Sequence, residues 1–103
     1  MLHEVNVDNF RVMLGCVCTL QLSDGSQLPV RVSSVIEKPQ ARFAEDRRLP
    51  FNVSLSSLEP SEFIDGACAV VLPEMGLLQD VFVSRVPAMG RDENLAYYCI
   101  SFN

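Results

Sequence analysis

The sequence predicts a mostly β domain, an antiparallel six-stranded sandwich or small partly open barrel with one short N-terminal helix. Three observations predict it. Apolar and polar residues alternate in short runs, which is the period of half-buried strands. Glycine and proline separate those runs. No helix-period segments are interleaved between them, as a parallel sheet would require. The chain of 103 residues has the length of one domain, and its 49% hydrophobic and 20% charged residues are the mix of a folded core with a solvated surface.

In chain order, Val7, Phe10 and Leu14 follow the spacing of a helical stripe, with Asn6 or Asp8 as cap and Gly15 as the left-handed stop. A first strand follows, with Cys16, Cys18, Leu20 and Leu22 on one face and Val17, Thr19 and Gln21 on the other. It ends at Asp24-Gly25, a hairpin signal because glycine accepts the positive φ that a tight reversal needs. The partner strand runs over residues 27–37 with Leu28, Val30, Val32, Ser34 and Ile36 on one face.

Residues 38–49 break the alternation with Pro39 and a run of charges, and read as a surface loop. Phe51, Val53 and Leu55 restore it as a third strand, which Pro50 precedes without interrupting a ladder. Glu59-Pro60-Ser61-Glu62 turns the chain, and Phe63 and Ile64 anchor the connection. A fourth strand over residues 67–72, a reversal at Pro73-Glu74-Met75-Gly76 and a fifth strand over residues 77–86 come next. After a loop over residues 87–94, a sixth strand rich in aromatic and branched residues occupies residues 95–102. The helix is predicted to plug one end of the sheet structure.

Candidate chemistry is sparse. The only histidine, His3, is close to a terminus that frays, and so makes a poor base for a catalytic triad. Cys16-Val17-Cys18 draws attention, but thiols on one face of an extended strand are about 6.6 Å apart, too far to chelate without a bend. With Cys68 and Cys99 they are read as reduced, mostly buried thiols in a core, since cysteine packs as a small hydrophobe. Asp24 and Asp65 precede glycines in turns, which accounts for them more simply than a paired-carboxylate site. Gly25, Gly66, Gly76 and Gly90 are isolated and form no phosphate loop. The expectation is therefore no catalytic residue, no cofactor and no metal.

A net charge of −5 disfavours nucleic acid or an anionic membrane as partner. The first residues lack the basic start and apolar stretch of an export signal, and the apolar runs are too short for a membrane helix, so a cytoplasmic setting is predicted. Charge is unevenly spread. Lys38, Arg42, Arg47 and Arg48 against Glu45 and Asp46 give the loop a net +2, leaving −7 on the remainder. Tyr97 and Tyr98 must point to opposite faces of the last strand, one inward and one outward. Lys38, Arg42, Arg47, Arg48 and Tyr98 are the candidate partner contacts. The edge of a hydrophobic last strand is a candidate for pairing between copies, which makes a homo-oligomer a further expectation.

The order of landmarks resembles an uncharacterised family of small bacterial all-β proteins, whose members often occur beside phage-tail-like collar and fibre proteins. The residues that carry it are Phe10 with Leu14-Gly15, Asp24-Gly25, Leu28-Pro29, Pro50-Phe51 with Ser54-Leu55, Gly66, Pro73-Glu74-Met75-Gly76, and an ending from Tyr98 that closes on Phe102-Asn103. Leu72 and Cys68 stand where that family often has histidine and tyrosine. The resemblance implies a non-enzymatic protein-interaction or assembly role, for example in a fibre- or tail-like complex. Two other classes compete with it. A small-ligand-binding or hydrolytic β-barrel needs an enclosed cavity with convergent polar groups. An inhibitor or immunity-type protein uses an acidic surface to cover a basic partner site.

Overall fold

The computed structural model describes residues 4–38 and 49–103 and shows a six-stranded antiparallel closed barrel with a short helix at its N-terminal end. The elements are α1 (Val7–Arg11), β1 (Val17–Gln21), β2 (Gln27–Glu37), β3 (Phe51–Ser57), β4 (Asp65–Leu72), β5 (Gly76–Val86) and β6 (Tyr97–Phe102). Around the barrel the order is β1-β2-β3-β6-β5-β4. Of the two architectures predicted, the barrel is the one formed. No helix among the described residues is long and apolar enough to cross a membrane.

Local chemistry starts the fold. Asn6 caps α1, its side chain accepting from the Asp8 and Asn9 amides while the Asn9 side chain accepts from the Asn6 amide. The helix is shorter than its predicted stripe. It loosens after Arg11, which turns Met13 into the core and leaves Leu14 exposed, and Gly15 ends the segment at φ +79°. Two backbone bonds, Gly15 N–H to the Val32 carbonyl and Val32 N–H to the Cys16 carbonyl, fasten this exit to β2. Phe10 enters one end of the barrel, with ring centroids 6.3 Å from Phe51 and 5.4 Å from Phe102, and those two rings stack at 4.7 Å. The barrel is plugged there.

The interior is filled by side chains from every wall, including Leu20, Val30, Val53, Leu55, Val70 and Ile100. Among the described residues every buried side-chain nitrogen or oxygen has a hydrogen-bond partner. The inward phase of β2 does not run unbroken from Leu28 to Ile36. Val32 pairs with Leu55 and Ser34 with Ser54, so Ser33 is an extra residue in the ladder. That bulge reverses the faces: Val35 packs against the core and Ile36 is exposed. The Ser33 hydroxyl donates to the Ser54 carbonyl across the irregularity. A second bulge lies in β5, where Gln79 and Asp80 together oppose Ala69 and Asp80 takes φ 59°.

The predicted open edge on the last strand is absent. β6 lies between β3 and β5, pairing with both, because closure of the barrel makes the C-terminal strand an interior one.

Candidate partner-binding cleft

At the barrel end opposite α1, a cleft of about 810 Å³ opens between two walls distant in sequence. The first wall is the β1–β2 turn with the start of β2, from Leu22 to Pro29; the second is the connection from Leu58 to Phe63 that links β3 to β4. Each wall is held by identifiable bonds. In the turn, Gly25 takes φ +89°, Leu22 N–H donates to the Ser26 carbonyl, and Asp24 accepts from both the amide and the hydroxyl of Ser26. Those Ser26 bonds hold the Asp24 carboxyl below its ordinary pKa, so it stays ionised.

The second wall is tied to the barrel through Tyr98. Its hydroxyl donates to the Phe63 carbonyl at 2.8 Å and shares a hydrogen bond with Ser61 Oγ at 3.2 Å, while Phe63 N–H donates to the same Ser61 oxygen. The Phe63 and Tyr98 rings lie 5.6 Å apart. Arg85 adds a guanidinium bond to the Ser61 carbonyl, and its amide donates to the Ile64 carbonyl. At the start of the connection, buried Ser57 accepts from the Ala96 amide and donates its own amide to the Ala96 carbonyl. The wall is thus set by core packing rather than by the loop itself.

Inside the cleft, Leu22, Leu28 and Phe63 are half-buried and pack against the core, forming an apolar floor. Leu58, Pro29 and Pro60 are more exposed along the sides. Asp24, Glu59 and Glu62 stand at the exposed rim, and no lysine or arginine among the described residues lines the cleft. Its chemistry is that of a surface which buries an apolar side chain and attracts cations around it.

Tyr98 is not the surface contact that the sequence suggests. It is 0% exposed, because Tyr98, Ile100 and Phe102 share the inward phase of β6. The two tyrosines do point to opposite faces, but even the outward Tyr97 is 5% exposed, covered by the loop before β6. Arg91 lies 3.8 Å above the Tyr97 ring, and the Tyr97 hydroxyl donates to the Asp92 carbonyl. The parity shared with Ile100 and Phe102 is the sequence signal that identifies Tyr98 as inward. Lys38 is exposed at the α1 end of the barrel, where its amide donates to the Pro50 carbonyl. Arg42, Arg47 and Arg48 lie outside the described residues, as does His3. The structure therefore does not bring Lys38 and Tyr98 together.

All four cysteines are free thiols, but only Cys68 is buried. Cys16 is exposed because β1 begins one residue later, and Cys18 and Cys99 are half-buried. Burial raises the Cys18 pKa, with the neighbouring Cys16 adding to it, and burial raises that of Cys68. Among the described residues, no three His, Cys, Asp or Glu side chains gather in a group able to hold a metal ion. A shallower hollow of about 570 Å³ lies on the outer wall beside Val17, Thr19 and Val71. Val71, at its edge, pairs with Leu77 of β5, and both are exposed.

Comparison of the chain with protein-family models, curated proteins and solved structures finds no match.

Proposed function

We propose that the chain is a non-enzymatic protein-interaction domain, an accessory or assembly factor that holds a partner segment in the cleft between the β1–β2 turn and the β3–β4 connection. The observation that carries this reading is the pairing of an apolar floor with walls anchored in the core. Leu22, Leu28 and Phe63 expose apolar surface in a concave site whose shape is maintained by Tyr98, Ser57 and Arg85. A preformed apolar concavity loses little conformational entropy when a partner enters it. The barrel interior is occupied by side chains, which weighs against an enclosed ligand chamber. The family resemblance favours a fibre- or tail-like assembly as the setting, and four free thiols suit a cytoplasmic one.

The test is selection of a random displayed peptide library on the immobilised protein. Each enriched peptide is then measured against the wild type and Leu58→Arg, a substitution at an exposed position of the cleft. The reading predicts peptides that lose binding to Leu58→Arg. Enrichment only of peptides that bind both proteins equally contradicts it.

A further inference from the structure

Resting on that reading of the cleft, we propose the chemistry of its occupant: a short cationic segment of a partner protein, with lysine or arginine on either side of an apolar side chain. Three carboxylates, from Asp24, Glu59 and Glu62, surround the opening, and among the described residues the twelve that line it include no cation to neutralise them. Arg85, whose guanidinium the cleft wall engages, is spent on the Ser61 carbonyl. Among the described residues the charge at the rim is therefore of one sign.

The carboxylates lie on both walls. Asp24 belongs to the β1–β2 turn, Glu59 and Glu62 to the opposite connection, and the apolar floor lies between them. A segment that places an apolar side chain on Leu22, Leu28 and Phe63 brings its flanking residues against this rim. Cations there gain attraction from both sides, whereas acidic residues meet repulsion from both. Asp24 keeps its charge under mildly acidic conditions because Ser26 holds it ionised. Pro29 and Pro60 contribute apolar sides without N–H donors, so an anionic group finds no backbone amide from them.

The experiment is an amide and methyl NMR titration of the full chain with three synthetic peptides. One is a seven-residue peptide alternating lysine with leucine; the others carry glutamine or glutamate in place of lysine. The lysine peptide is expected to shift signals of Leu22, Leu28, Leu58 and Phe63. Its affinity should fall about tenfold between low and high salt, as exposed ion pairs are screened. Glu59→Gln with Glu62→Gln should weaken it about threefold to tenfold, on the scale of two exposed pairs. Both glutamates are exposed, so the double variant is expected to keep the wild-type spectrum elsewhere.

If the glutamine peptide shifts the same cleft signals with equal affinity, the charge preference is overturned and the cleft remains a binding site. If the shifts fall instead on Val71 and Leu77 of the outer wall, or if none of the three peptides binds at millimolar concentration, both the occupant and the cleft reading are overturned.

Discussion

The Tyr98 hydroxyl donates to the Phe63 carbonyl oxygen at 2.8 Å, tying the last strand of the barrel to a connection 35 residues earlier in the chain. With the Phe63 ring 5.6 Å from the Tyr98 ring, this bond makes one wall of the cleft an extension of the core. A short acidic connection with one proline and no regular structure would otherwise be free to fray.

Tyr98→Phe removes the hydroxyl and keeps the ring. The expected outcome is a loss of about 1–2 kcal/mol in denaturant unfolding, since the Phe63 carbonyl is left unpaired in a half-buried site. Amide hydrogen exchange should accelerate more at residues 61–64 than in β1 or β2, where only the global loss is felt. A uniform acceleration across the barrel, with no local excess, contradicts the assigned role.

Phe10→Ala empties the plug at the other end of the barrel. Phe10 is buried against Phe51 and Phe102, so the expected loss is about 3–5 kcal/mol. Asn6→Ala removes only the helix cap and should destabilise the protein by about 1 kcal/mol in the same measurement. Equal effects would contradict this, since the aromatic plug would then contribute no more than the cap.

Much of this architecture is legible locally. Asn6 and Gly15 bound the helix segment, Asp24-Gly25 forms the first hairpin turn, and the alternation in β3 matches its buried and half-buried faces. Those features depend on neighbours within a few residues. The bulge at Ser33 does not, because it is set by how β2 registers against Leu55 and Ser54 of another strand. The burial of Tyr97 depends in the same way on a loop folding over the outer face. The cleft is least legible of all, since Leu28 and Phe63 come to line one concavity only after the barrel closes. Its single local signal is the acidic, proline-containing stretch from Glu59 to Glu62, which reads equally well as an ordinary turn.

Thiol labelling should resolve the cysteines by exposure. Cys16 is expected to react first and Cys68 last in the native protein, with Cys18 slowed by a raised pKa. Mass spectrometry after timed alkylation gives the order. Labelling of Cys68 as fast as Cys16 contradicts the packing of Cys68 in the barrel.

Acid should loosen the β1–β2 turn through Asp24. Its folded pKa lies below the ordinary 3.8, so the associated stabilisation is present above that value and is lost as pH falls through the folded one. Asp24→Asn should therefore show a smaller drop in stability between about pH 5 and pH 2 than the wild type, measured by thermal unfolding. An identical pH dependence in the two proteins would remove Asp24 as a contributor.

The most direct measurement of the central claim is the NMR footprint of a peptide selected on the wild-type protein. Binding in the cleft predicts shifts in residues 22–28 and 58–63, on both walls at once, with Ala96 and Tyr98 responding through their bonds to Ser57 and Phe63. Shifts centred on Val17, Val71 and Leu77, with both cleft walls unmoved, would contradict it and assign binding to the outer face of the barrel.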